Sequence, residues 1–273
     1  MHNQDLPDIT YGTIDQEYAA HLGSFAPEDD QPFWMVNLMR YRDKAVYVDG
    51  RESDLTGRQA DDAYSPFRQF RTVGAELVFL ADVEEQLAGD DQVWERIAVV
   101  RYPTRQSFLD MQNLPDYVEL HAHKDAGMAS TFVIGCQPMT WPELPAEAPS
   151  LDSVPHPSTP DDGPVVIMHV LKFNEGGGSE DMDIYQNAAA RIALPHGVRI
   201  DAWLEVEGTI VGDGRSWDQI RFNVFPSQAA FMAVAMDPDR LAAQADNREP
   251  AIADTYTMMM RPLINRLGAS IND

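Results

Sequence analysis

Two runs of nearly continuous apolar residues stand out along the chain. They are Phe33-Trp-Met-Val-Asn-Leu-Met-Arg-Tyr41 and Val165-Val-Ile-Met-His-Val-Leu-Lys-Phe173. Both are short, rich in β-branched or aromatic residues and bounded by turn formers, so they read as buried strands. After each comes a helical pattern, about Arg58–Thr72 and Asp181–Leu194, with Pro66 placed to bend or restart the first. Further strands are expected near Glu76–Ala81 and Arg199–Glu205, then near Glu95–Tyr102 and Asp218–Phe225. Pro103 and Pro226 end the latter pair, because proline cannot donate to a strand ladder. Thr104 and Ser227 follow as N-caps of helices near Arg105–Met111 and Gln228–Met236. More helix is expected past Pro115 and Pro238, and last strands near Thr131–Cys136 and Thr255–Met260.

The two series run in parallel. Trp94-Glu95 recurs as Trp217-Asp218, 123 residues later, and the same offset maps Gly74 on Gly197, Gly89-Asp90 on Gly212-Asp213, Phe108 on Phe231 and Pro115-Asp116 on Pro238-Asp239. Several matches of uncommon residue types at one offset point to a tandem duplication. Each copy reads β-α-β-β-α-β, the ferredoxin-like split unit, whose sheet keeps one face bare of helices. The expected fold is therefore α+β: two tandem ferredoxin-like domains covering each other's bare sheets in one intrachain α/β barrel. The expected division is an N-terminal extension (1–30, with a short helix near Asp15–His21), a first domain (31–137), a proline-rich linker (138–163) and a second domain (164–265). From Pro138 to Pro164 the chain holds eight of its 19 prolines, as in a stiff extended spacer.

Charge narrows the function. With 44 Asp and Glu against 20 Lys and Arg, the formal net charge is −24, and both halves are acidic. Such a field repels phosphate backbones and anionic lipid surfaces, so neither nucleic acid nor membrane is an expected partner. No apolar run approaches the ~20 residues of a membrane span. Residues Met1–Pro7 lack a basic, then apolar, leader, and the single Cys136 precludes an internal disulfide, so a cytoplasmic location is expected. No phosphate-binding loop, dinucleotide fingerprint, nucleophile elbow or zinc-protease motif occurs, and no cofactor or metal is expected. Gly176-Gly177-Gly178 reads as a flexible loop with no helix start directly behind it.

Some polar residues interrupt apolar rows. On alternating strand faces, Asn37 falls in the row Phe33, Met35, Met39, Tyr41, and His169 takes the same slot among Val165, Ile167, Leu171 and Phe173. If that face lines the barrel lumen, Asn37 and His169 are ligand-facing; otherwise they are buried polar groups satisfied by neighbours. Arg40 and Lys172 correspond on the opposite face, as snorkelling cations or anion binders at the barrel mouth. Tyr64 and Tyr185 fall at comparable helix positions, as core or as pocket-edge phenols. In His121-Ala-His123 the two rings lie about 200° apart on a helix, so they cannot share a metal. Glu119 and Asp125 stand one turn from His123 and His121, and His123 is the candidate general base.

The residues Val36-Asn37-Leu38, Tyr47-Val-Asp-Gly50-Arg51, Leu55-Thr56-Gly57-Arg58, Ala63-Tyr64, Trp94-Glu95, Arg101-Tyr-Pro-Thr-Arg105, Phe108-Leu-Asp-Met111, Pro115-Asp-Tyr117 and His123-Lys124 resemble the dimeric α/β-barrel superfamily. The branch they resemble is domain of unknown function 1330. The likeness covers about 31–137 well and 164–264 more weakly. The resemblance implies the fold but no single chemistry, because the superfamily spans cofactor-free monooxygenases, haem enzymes, isomerases and binders.

Three readings follow. One is a cofactor-independent, monooxygenase- or isomerase-like enzyme acting on a mostly apolar organic compound. Its catalytic candidates are His123, Asn37 and His169, and its substrate-binding candidates are Arg40, Tyr41, Tyr64, Trp94, Lys172 and Tyr185. The second is a non-catalytic binder using the same pocket. The third is haem binding or degradation, since the stretch from Phe108 to His121 is similar to the helix that supplies the iron ligand in haem-degrading monooxygenases. In all three the partners are a small-molecule ligand and the chain's own second half, with a homodimer also possible.

Overall fold

Alternating strands with apolar residues on both faces need two covers, and the chain supplies one by closing its sheet and the other with helices. The computed structural model describes residues 9–176 and 178–272. The readings made on Met1–Pro7 and Gly177 lie outside the described residues.

The elements run β1 (Thr13–Ile14), α1 (Gln16–Leu22), β2 (Phe33–Tyr41), α2 (Gly57–Ala63), α3 (Phe67–Val73), β3 (Glu76–Ala88), β4 (Arg96–Tyr102), α4 (Arg105–Gln112), α5 (Tyr117–Gly127) and β5 (Met128–Pro138). After the connector come β6 (Val165–Phe173), α6 (Gly178–Ala193), β7 (Arg199–Gly212), β8 (Gln219–Phe225), α7 (Gln228–Ala235) and α8 (Pro238–Ala243). A π-helical turn (Gln244–Arg248), α9 (Glu249–Ala251), β9 (Ile252–Asn265) and α10 (Leu267–Asn272) complete the chain. Pro66 does split the first expected helix, because it lacks an N–H and disfavours helical backbone before it. Helix α6 starts at Gly178, directly behind the glycine run and earlier than expected.

Eight antiparallel strands close into a barrel in the order β7-β5-β2-β4-β3-β9-β6-β8, with β8 returning to β7. The halves are two tandem ferredoxin-like units, joined edge to edge. β3 and β7 are longer than expected because each serves both halves. β3 pairs with β4 over Glu76–Asp82 and with β9 over Phe79–Ala88. β7 pairs with β8 over Arg199–Glu205 and with β5 over Leu204–Val211. β1 adds two residues to the far end of β7.

The lumen is filled by the rows containing Trp34, Val36 and Leu38, and Val166, Met168 and Val170. Aromatic rings from both halves meet there: Phe79 and Phe222 at 5.2 Å, Trp94 and Phe132 at 4.7 Å, Phe132 and Trp217 at 6.0 Å. Arg215 closes one end, over the rings of Phe132, Trp217 and Tyr256 and paired with Asp90, Asp213 and Asp254. α10 closes the other, burying Leu267 and accepting the Trp34 indole N–H on Ser270 at 3.0 Å. An eight-stranded barrel is just wide enough for side chains to fill it. The expectation of a ligand lumen lined by Asn37 and His169 is therefore corrected: their row faces outward, beneath the helices.

The helices are held by matched caps. Asp30 accepts the first N–H groups of α4 (Arg105 and Gln106), and Asp162 does the same for α7 (Gln228 and Ala229). The connector is tied down as well, through Asp162, through Pro149 O to Arg199 and through His156 O to Ser227. α2 sits close on α5 because Gly57 and Gly127 meet backbone to backbone, and a Cβ on either would strike the other's carbonyl region. No helix among the described residues is long and apolar enough to cross a membrane.

Because Phe79 and Phe222 pack across the halves, Phe79→Ala should lower unfolding stability by about 3–5 kcal/mol and leave one transition in urea. Two separated transitions in the parent chain would show halves that fold independently.

Candidate functional site

Helix α5 carries Tyr117, His121 and Lys124 at i, i+4 and i+7, one stripe aimed at the outer sheet face. Across from it β2 presents Met35, Asn37 and Met39. Between them, with α2–α4 as the remaining walls, lies a cavity of about 350 Å³. Its surface is mostly apolar and aromatic: Phe70, Val100, Tyr102, Phe108 and Met111 line it, with Tyr64 and Tyr117 joined through their hydroxyls at 3.1 Å.

Its polar groups gather around α5. Lys124 is 9% exposed and forms no ion pair among the described residues. Its Nζ donates weakly to Asn37 Oδ1 at 3.5 Å and lies 5.7 Å from the Tyr64 ring centre. Asn37 is itself fixed, its Nδ2 donating to Met35 O at 3.2 Å. Burial pulls the Lys124 ammonium below its usual pKa, and the more distant charges of Asp61 and Asp125 oppose this only in part. The other cavity cation is already neutralised: Arg96 binds Asp61 (3.1 Å), Asp62 (2.8 Å) and Asp82 (3.1 Å).

His121 lines the cavity with its Nδ1 3.2 Å from Asp125 Oδ1. Burial pushes the Asp125 carboxyl up, but hydrogen bonds from His121 and Tyr11 (2.8 Å) outweigh this and hold it below the usual carboxylate range. An ionised carboxylate at Nδ1 selects the Nδ1–H tautomer of a neutral ring and leaves Nε2 as its acceptor. Such a pair has the geometry to hold a histidine ready as a general base.

Of the residues singled out from sequence, Asn37 and Tyr64 line this cavity. His123 faces the other side of α5, where Nδ1 meets Tyr47 Oη at 2.7 Å; it forms no pair with Glu119. Tyr41 backs the cavity, donating to Asp61 at 2.6 Å. Trp94 lies inside the barrel, its indole N–H unpartnered. Arg40 is exposed at the end of β2, and Lys172 pairs with Asp218 at 2.9 Å. Tyr185 is buried and His169 half-buried in the second half, where His169 Nδ1 meets Thr257 Oγ1 at 3.1 Å. The residues missed as cavity groups are Lys124, Tyr117, Asp61 and Arg96, and His121 was passed over as the base. The stripe Tyr117, His121, Lys124 was the available signal, hidden because a helix lysine ordinarily marks the solvent face.

Lys124 sets a testable pH dependence. Its pKa is lower in the folded than in the unfolded chain, so between the two values the unfolded state binds more protons and stability rises with pH. Lys124→Met should therefore be more stable than the parent at neutral pH, with a gap that narrows as pH climbs toward the unfolded value near 10.4. Urea unfolding of both chains across pH 7–10 checks this; a gap that is constant or widens contradicts a depressed Lys124.

No protein-family profile matches the chain, and no curated protein does. Among solved structures, a Rhodopseudomonas palustris protein of unknown function is 26% identical, with 48% of this chain covering 98% of that one at a TM-score of 0.42. Its methylated form gives 29% identity over the same shares and 0.43. A chlorite dismutase from Candidatus Nitrospira defluvii, in complex with imidazole, is 11% identical over 94% of this chain and 100% of that one, at 0.49. An anthrone oxidase-like protein is 13% identical over 86% and 92%, at 0.46. Scores of 0.42–0.49 carry no functional assignment, and the barrel stated above rests on the chain's own strand register.

Proposed function

We propose that the first half of this chain binds a small, mostly apolar organic compound bearing an acidic hydroxyl or enolisable carbonyl, in the cavity outside the barrel. The observation that supports this is Lys124: a buried cation with no carboxylate partner, held by Asn37 at the polar end of an apolar cavity. An oxyanion on the ligand would supply the missing counter-charge and restore the ammonium, while the aromatic walls take the carbon skeleton. His121, oriented by Asp125, is then the base that removes a proton to Nε2, with the charge passing to the ligand oxygen beside Lys124. That step is common to an isomerase, which returns the proton at another carbon, and to a cofactor-independent monooxygenase, whose carbanion meets dioxygen. We read the chain as a duplicated dimeric α/β-barrel protein akin to the domain of unknown function 1330 branch, with domains at about 31–137 and 164–265.

We do not favour a haem here. Asp125 at Nδ1 would suit an iron-ligating His121, whose Nε2 is free, but the ring is flanked by those of Tyr64 and Tyr117, at 5.8 and 5.3 Å.

Two probes test the reading. In calorimetry, a naphthol should bind about tenfold or more tightly than its methyl ether, and Lys124→Met should abolish that preference while leaving the ether's affinity unchanged. Deuterium exchange at the acidic carbon of a tetralone, followed by NMR, should be accelerated by the protein and fall about 100-fold or more in His121→Ala. Binding without exchange identifies a non-catalytic binder; equal affinity for naphthol and ether overturns the Lys124 reading.

A further inference from the structure

The second half does not repeat this chemistry. In the slot of Asn37 it has His169, and the β6–β8 register sets Arg221 directly opposite it on the same outward face. Arg221 is 4% exposed, its guanidinium stacked over the Trp203 ring at 4.5 Å and bonded only to Gln219 Oε1, a neutral acceptor. Above this face, where α6, α8 and α9 pack on Leu171 and Phe173 of the same strand row, α8 carries Arg240, whose Nη1 donates to Ala235 O at 2.9 Å, and the π-helical turn carries Arg248. Both are partly exposed, so the cluster is reached from the surface.

These cations feel one another. Burial pulls His169 well below its usual pKa, and the charges of Arg248, Arg221 and Arg240 add to the effect. Burial also brings Arg221 down to about 10; the charge of Asp183 opposes this and that of Arg248 adds to it. In a chain of 44 acidic and 20 basic residues, none of the three arginines forms an ion pair among the described residues. The other buried arginines behave differently: Arg105, for example, binds both Asp30 and Glu207. The acids whose charges reach Arg221 and Arg248 hydrogen-bond elsewhere. Asp183 accepts from Gln186 at 2.8 Å, and Glu249 from Gln244 at 3.2 Å.

Guanidinium groups deprived of carboxylates at a buried site are a receptor for a multiply charged oxyanion, which they bind by charge-assisted, often bidentate, hydrogen bonds. We propose that Arg221, Arg240 and Arg248, with His169 beneath them, form a binding site for a phosphate group, free or esterified. This site is separate from the Lys124 cavity and does not depend on the function proposed there. The negative field of the whole protein disfavours unspecific anion uptake, so saturable binding would report this cluster.

Calorimetry on the full chain at constant ionic strength tests it, with inorganic phosphate, glycerol phosphate and acetate as probes. The expected result is one saturable site for phosphate, weak or absent binding of acetate, and affinity about tenfold or more lower in Arg248→Gln and in Arg240→Gln. Both variants change partly exposed side chains, and near-UV circular dichroism checks their fold. Phosphate should raise the melting temperature of the parent but not of the variants, and Lys124→Met should bind phosphate as the parent does. Tighter binding of the ester assigns a phosphorylated compound; tighter binding of the inorganic ion assigns free phosphate. No saturable phosphate binding, or binding unchanged in both arginine variants, overturns the proposal.

Discussion

Two seams of backbone hydrogen bonds, β3 to β9 and β5 to β7, join what would otherwise be four unpaired sheet edges. An open edge invites pairing with another chain, and a ring of strands removes that liability. Closure also decides what each strand face can hold. The inner face is buried, so it takes mainly side chains that fill space, from Trp34 and Val36 to Phe222 and Met258. Polar groups on these strands have to go to the outer face, where the helices bring partners and a cavity can remain.

The two outer faces differ within one scaffold. The elements match in order, and even the caps on α4 and α7 come from corresponding aspartates, Asp30 and Asp162. Yet the first half surrounds one lysine with aromatic and aliphatic carbon, whereas the second sets an arginine opposite a histidine, with Arg240 and Arg248 on the elements above. Lys124 and Arg221 are thus buried cations that form no ion pair among the described residues, in a protein whose net charge is −24. Desolvating a cation without a partner is costly, which is the physical ground for the oxyanion ligands proposed above.

Much of the fold was legible because its signals are local. The paired Trp-acid motifs, the strand-ending Pro103 and Pro226, the capping Thr104 and Ser227 and the chain-breaking Pro66 each act within a few residues. What was not legible depends on three-dimensional closure. Period-two alternation separates the row of Asn37 from the row of Trp34, but with both rows apolar it does not say which one faces inward. The extra length of β3 and β7 has no local cause, since their added residues pair with the other half. Helical periodicity placed His121 and His123 on different faces of α5, and only the sheet beneath shows that Lys124 and His121 share the inner one. The arginine cluster draws on β8, α8 and the π-helical turn, which strand register and helix docking bring together around His169.

The central claim is that ligands of this protein sit outside a filled barrel. A crystal soaked in a bromonaphthol and measured at the bromine edge tests it most directly. The account predicts one strong anomalous peak between β2 and α5, with the naphthol oxygen within hydrogen-bonding distance of Lys124 Nζ. A peak among Trp94, Phe132 and Trp217 inside the barrel would contradict it.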